Sequence, residues 1–205
     1  MLTSFDRKQV KAFVTKFVRS PAASDIATLF ELASRLQHQY QAVPEPLRSQ
    51  TAIRPSSPER MIQNSMFLLS TYHLCAVYLH WSIVPASVNA AEHSPIPASV
   101  ARQCVQTAYS HARQFAHLAR AYFATVPDIT KISSFIGYSA YVAGLVLGAV
   151  VRCLRATRED DAWKDGLVCL LLMQELAPYW SPFETLVSRG PIPRICSLRL
   201  INLTV

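Results

Sequence analysis

Apolar side chains recur at helical spacing in blocks that prolines separate. The segment 100–123 shows this best: its apolar residues lie three or four positions apart, the period of one helix face, at Val105, Ala108, Ala112, Phe115, Ala119 and Tyr122. The segment 61–81 carries Leu68, Tyr72, Cys75 and Leu79 at the same spacing. We therefore expect an all-α fold, an irregular multi-helix domain of about six or seven helices over 1–190, with an irregular tail over 191–205.

Three sites carry signals for the start of a helix. Asp25 precedes an apolar pattern and suits an N-cap. Ser57 followed by Pro58 predicts an N-cap and first helical residue, because proline's missing N–H is unbonded at that position anyway. The segment 181–184, Ser-Pro-Phe-Glu, has the spacing of a capping box. With its three prolines, the segment 45–58 is expected to be a loop.

The segment 132–151 has no charged residue and is long enough to cross a bilayer. Its serines and tyrosines favour a buried helix instead, with a smooth packing face at Ala140, Gly144 and Gly148. A small integral membrane protein with spans near 61–84 and 132–151 is the alternative. We expect no membrane association.

Charge and cysteine content narrow the function classes. The net charge of +7 comes from scattered Lys and Arg rather than from a basic run, which argues against a nucleic-acid arm. The five cysteines contain no C-x-x-C pair, so a zinc ribbon, a binuclear cluster or a redox pair has no ligands here. The acidic residues between Glu159 and Asp165 indicate a solvated loop. The hydrolase, nucleotide-binding and zinc-protease motifs are absent, so we predict no enzyme, no metal site and no cofactor.

Polar aromatic residues in the apolar segments are the best candidates for a binding site. An effector pocket between helices would use Tyr72, His73, His80, Trp81, Tyr138 and Tyr141. Ordinary core aromatics with satisfied polar groups are the competing interpretation. An enzyme with a cavity around His73 and His80 is a further alternative.

The order of these segments resembles the C-terminal part of the regulatory region of fungal zinc binuclear cluster transcription factors. The matched segments, spread over most of 25–187, are VPEPLR, MFLLSTYHLCAVYLHW, CVQTAYSHARQFAHLAR, SSFIGYSAYVAGLVLGAV and LVCLLLMQELAPYW. The family's Tyr-His-x-x-x-x-x-Leu-His helix is matched by Tyr72, His73, Leu79 and His80. The Arg-Pro that often follows in the family is replaced by Trp81 and Ser82.

The resemblance implies a nuclear regulatory domain that modulates RNA polymerase II transcription through protein partners, self-association or a small-molecule effector. The six-cysteine zinc cluster and the tryptophan-rich helix of the family are missing, so zinc and DNA would be bound only through a domain this sequence lacks. We therefore expect a fragment of a larger helical regulatory domain, a truncated gene model or a degenerate paralogue.

Overall fold

The computed structural model describes residues 23–83, 96–126, 128, 132–154 and 160–180. These residues contain six α-helices and no strand, which confirms the all-α prediction. The helices are α1 (Ala23–Ala42), α2 (Glu45–Arg48), α3 (Glu59–Trp81), α4 (Ala98–Thr125), α5 (Ser134–Leu154) and α6 (Asp161–Leu176), with 3-10 turns at Gln50–Ala52 and Ala177–Tyr179. The expected capping box at 181–184 and the tail at 191–205 lie outside the described residues.

Helices α3, α4, α5 and α6 surround the main core. The most extensive contacts join α5 to α6 and α3 to α4, while α1 packs on α3. The large side chains that are almost fully buried include Met66, Leu69, Phe115, Leu118, Tyr122, Ile136, Leu147, Leu172 and Met173. A smaller cluster of Leu29, Ile83, Ile96 and Cys104 joins α1 to the end of α3 and the start of α4.

Five of the six residues predicted for the inner face of α4 are buried, and the sixth, Val105, is only partly buried. Ala108, Ala112, Phe115, Ala119 and Tyr122 are all buried. Three of these five are alanines, which let α3 approach the α4 backbone closely and leave the long polar side chains to solvent.

The prediction for the inner face of α3 is wrong, because the helix buries a different face from the one predicted. Of the four apolar residues expected there, only Leu79 is buried. The buried face runs instead through Ile62, Met66, Leu69, His73 and Val77, and it also includes Ser65 and Ser70. A pattern that counts only apolar residues misplaces this face, because polar side chains occupy part of it.

Prolines cap three of the helices. Pro44, Pro58 and Pro97 precede α2, α3 and α4, each with φ between −51° and −57° and ψ between 133° and 136°. Their carbonyl oxygens accept the first helical hydrogen bonds, for example from the N–H of Met61 at 2.9 Å. The cap of α3 is therefore Pro58 and not Ser57, because the ring fixes φ in a range that suits an extended cap. Asp25 lies inside α1 and is not its N-cap.

The segment 45–58 is more ordered than its prolines suggest. It contains α2 and a 3-10 turn, and Ala52 and Ile53 at the end of that turn are buried in the structure. Pro46 and Pro58 lie at the starts of helices, and Pro55 lies in the turn between them.

Helix α5 is the element on which the membrane question depends. Among the described helices it alone, over Ser134–Cys153, is long and apolar enough to cross a membrane, and 61% of its 18-residue window is buried inside the protein. Ala140, Gly144 and Gly148 are all buried, as the predicted packing face requires.

Candidate functional site

The six predicted pocket residues lie in two aromatic groups and at the end of α3. Tyr72 and His73 belong to one group, in which α3 meets α1 and α4. Tyr138 and Tyr141 belong to the other, in which α5 meets α3. His80 and Trp81 lie at the end of α3, where His80 is close enough to His111 to add to the effect of burial in lowering the pKa of that ring. The structure therefore does not bring the six residues together in one cavity.

The first group, here called the histidine cluster, comprises Tyr40, Tyr72, His73 and His111. The Nδ1 atoms of His73 and His111 are 3.0 Å apart, so one ring donates a proton and the other accepts it. Tyr72 stacks on Tyr40 with ring centroids 3.9 Å apart and meets the His111 ring edge-on. Its hydroxyl donates to the side-chain oxygen of Gln37. The cluster thus joins α1, α3 and α4.

Burial keeps both histidines of this cluster neutral. Desolvation, followed by the proximity of His111, lowers the pKa of His73 to about 3. Desolvation, followed by the proximity of His80, lowers the pKa of His111 to about 4. Their pairing supports the interpretation of Tyr72 and His73 as satisfied core groups.

His80 and Trp81 close the end of α3. The Nδ1 of His80 is 2.8 Å from the backbone oxygen of Ala76, one turn earlier in its own helix, and burial lowers the pKa of the ring. Trp81 is partly buried against the main core.

The second group forms an exposed aromatic surface, defined by Phe67 and Tyr78 of α3 and Phe135 and Tyr138 of α5. Phe67 and Phe135 are in contact, with ring centroids 5.5 Å apart, and Tyr141 stacks beside Tyr138. The hydroxyl groups of Tyr78 and Tyr138 are hydrogen-bonded to each other. Desolvation and this bond raise the pKa of Tyr78. Phe67 nevertheless remains 46% exposed, and Tyr138 and Tyr78 remain 38% and 36% exposed.

The depression nearest to the histidine cluster does not suit a ligand. It lies between His73, Phe115 and Ser139 and has no volume that a water molecule could occupy. The larger depressions in the described part of the protein lie elsewhere, along α4.

A charge cluster on the α4–α6 interface was missed by the sequence analysis. Asp165 has a side chain only 2% exposed and receives hydrogen bonds from Nε of Arg113 and Nη2 of Arg120, both at 2.9 Å. Arg113 also donates from Nη2 to Asp161 at 3.0 Å. These bonds, chiefly the one to Asp165, raise the pKa of Arg113. The solvated loop expected for Asp161 and Asp165 is wrong, since both lie in α6.

Residue spacing was the available signal for this cluster. Arg113, His117 and Arg120 are four and three positions apart, which places them on one face of α4. Asp161 and Asp165 are four apart on α6. The charges complement one another only when the two helices are paired, which no single segment reveals.

An open trough runs beside this charge cluster. One depression of about 390 Å³ lies between α4 and α6, and a second of about 420 Å³ continues along α4 towards Tyr109 and Gln50. Arg113 and His117 line both depressions. The described residues include no group of three or more His, Cys, Asp or Glu side chains placed to hold a metal ion.

The chain was compared with protein-family models, with curated proteins and with solved structures, and none of them matches it.

Proposed function

We propose that this chain is a regulatory interaction domain of a nuclear transcription regulator. The family assignment rests on the sequence resemblance, in particular on the order of its helical segments and the Tyr72–His80 motif. An all-α fold with a shared core of residues from Ile53 to Leu176 is compatible with it.

The observation that carries the interaction role is the exposed aromatic surface. Three of its four rings are more than one third exposed, and the fourth, Phe135, packs against the core. Exposed pairs of aromatic rings of this kind mark sites where other proteins dock. The bond between the Tyr78 and Tyr138 hydroxyls holds two of the rings in place on separate helices, so little side-chain entropy is lost when a partner binds.

Protein binding is better supported than binding of a small-molecule effector. The six residues expected to line an effector pocket lie in separate places, and the depression beside His73 has no room for a ligand. An open aromatic surface suits a protein partner or a second copy of the chain.

A transcription assay tests the proposal. The chain is fused to an unrelated DNA-binding domain and a reporter gene is placed downstream of its operator. We expect reporter output to change several-fold and the tagged chain to accumulate in the nucleus. The double variant Phe67→Ser and Tyr138→Ser should lose the effect, whereas Gln103→Ser with Gln106→Ser, on the exposed side of α4, should retain it. No change in output from the folded fusion protein would refute the proposal.

A membrane protein is the second candidate, and the length and apolar composition of α5 favour it. Alkaline carbonate extraction of cell membranes separates the two readings. A membrane protein stays in the pellet after extraction, whereas the interaction domain is released into the supernatant.

A further inference from the structure

The trough between α4 and α6 has a cationic side. Helix α4, Ala98–Thr125, contains three arginines and no acidic residue in its 28 residues. Of these arginines, Arg113 and Arg120 line the trough, together with the half-exposed His117 and with Lys164 of α6. The whole exposed ridge of α4 therefore faces solvent without a carboxylate of its own.

The buried carboxylate of Asp165 holds the two guanidinium groups in place. It accepts hydrogen bonds from Nε of Arg113 and Nη2 of Arg120, while the side chains of these arginines remain 31% and 49% exposed. Arg120 makes this one hydrogen bond among the described residues, so its Nε and Nη1 donors are not bonded to them, and its side chain lines the trough. Asp161 is the one carboxylate in the trough with a well-exposed side chain, and it is bonded to Arg113.

The balance of charge in the trough is positive. Arg113, Arg120 and Lys164 carry three permanent positive charges and Asp161 and Asp165 two negative ones, which leaves one positive charge before His117 is counted. Because the Asp165 side chain is 2% exposed, the charged groups open to a molecule in the trough are three cations and the carboxylate of Asp161. Guanidinium groups already held in place bind carboxylates at a low entropic cost.

The opposite side of the trough is apolar. Leu167, Val168 and Leu171 of α6 line it, and Leu171 is 46% exposed. A free inorganic anion would leave these side chains uncovered. An apolar side chain between two carboxylates would contact both sides together.

We propose that this trough binds a short acidic segment of a partner protein, with an apolar side chain against Leu171 and flanking carboxylates on Arg120 and Lys164. The partner is chosen by charge complementarity with an acid-free helix face. This inference rests on the proposed function, to which it adds a second partner-binding surface and the chemistry of the segment bound there. It concerns a surface separate from the aromatic one.

Fluorescence anisotropy with synthetic peptides tests the binding. The probe is a labelled octapeptide with the sequence Asp-Asp-Ile-Asp-Asp-Leu-Asp-Asp. Two controls replace either its Ile and Leu by Ser or its Asp residues by Lys. We expect a dissociation constant on the order of 10–100 μM for the probe, at least tenfold weaker binding of both controls, and weaker binding at higher salt.

Variants of the full chain locate the site. Lys164→Glu and Leu171→Asp should each weaken binding of the probe at least fivefold, because they reverse a charge or place one on the apolar side. Arg35→Glu makes the same charge change as Lys164→Glu at an exposed position of α1, the helix that packs against α3. This control variant should keep the affinity for the probe within twofold of the unmodified chain. Circular dichroism confirms that all three variants are folded.

Two results would overturn the inference: equal binding of the probe and its serine control, or equal affinity in the Lys164→Glu and Arg35→Glu variants. If reporter output does not change but the chain binds the acidic probe selectively, the transcriptional role is refuted and the binding site in the trough is supported. An active reporter with no peptide selectivity would do the reverse.

Discussion

The histidine cluster makes the packing of α3 on α4 sensitive to acid. In an unfolded chain a histidine binds a proton near a pKa of about 6.5, whereas burial lowers the pKa of His73 to about 3 and that of His111 to about 4. Between these values the unfolded state binds more protons than the folded state. The free energy of unfolding is therefore complete above about pH 6.5 and decreases as the pH falls towards the folded pKa values.

The size of this loss follows from the same pKa values. Each pH unit below 6.5 lowers the free energy of unfolding by about 1.4 kcal/mol for each buried histidine. At pH 5 each of the two histidines therefore accounts for a loss of about 2 kcal/mol. The combined loss is smaller than the sum of the two, because the paired Nδ1 atoms can share a first proton and His111 is partly exposed. We expect the free energy of unfolding to fall by about 2–4 kcal/mol in total. Burial also lowers the pKa of His80, which acts in the same direction.

Urea unfolding followed by circular dichroism at pH 7.5, 6.5, 5.5 and 5.0 measures the effect. This range is chosen because most carboxyl groups remain ionised at about pH 5 and above. The double variant His73→Gln and His111→Gln should lose at least half of the pH dependence, and His38→Gln, an exposed histidine of α1, should keep all of it. If the double variant and the unmodified chain have the same dependence on pH, the burial argument is wrong.

Three substitutions test other parts of the core by thermal unfolding. Asp165→Asn should lower the free energy of unfolding by about 2 kcal/mol, because it removes the negative charge that Arg113 and Arg120 bind. The value allows for solvent, which screens the partly exposed arginines. Unchanged stability would show that the ion pairs contribute nothing. Tyr122→Phe should leave stability unchanged or raise it by up to about 1 kcal/mol, because the buried hydroxyl has no hydrogen-bond partner among the described residues, and a clear loss would contradict this. Gly166→Ala should add about 0.5–1 kcal/mol, since its new Cβ would lie 3.7 Å from that of Leu147 and alanine favours a helix; a lower melting temperature would reveal a clash.

The helices of this protein were largely predictable from the sequence, and the face of α4 was predictable because its apolar and polar residues are cleanly separated. The face of α3 was not. Its buried side includes Ser65, Ser70 and His73, while Phe67 and Tyr78 remain exposed. Hydropathy alone reverses these assignments, because the burial of His73 depends on a partner at His111 that lies 38 positions away.

The charge cluster shows the same limit more sharply. Asp165 follows Asp160 and Asp161 closely along the chain, and a local reading places all three in a solvated loop. The packing of α4 on α6 instead buries the carboxylate of Asp165 under two arginines and leaves that of Asp161 at the surface. A buried carboxylate between helices is costly unless cations satisfy it, so Arg113 and Arg120 must lie where they do for α6 to pack. That same requirement keeps both guanidinium groups at the edge of the trough, which is why a structural ion pair can also prepare a surface for acidic ligands.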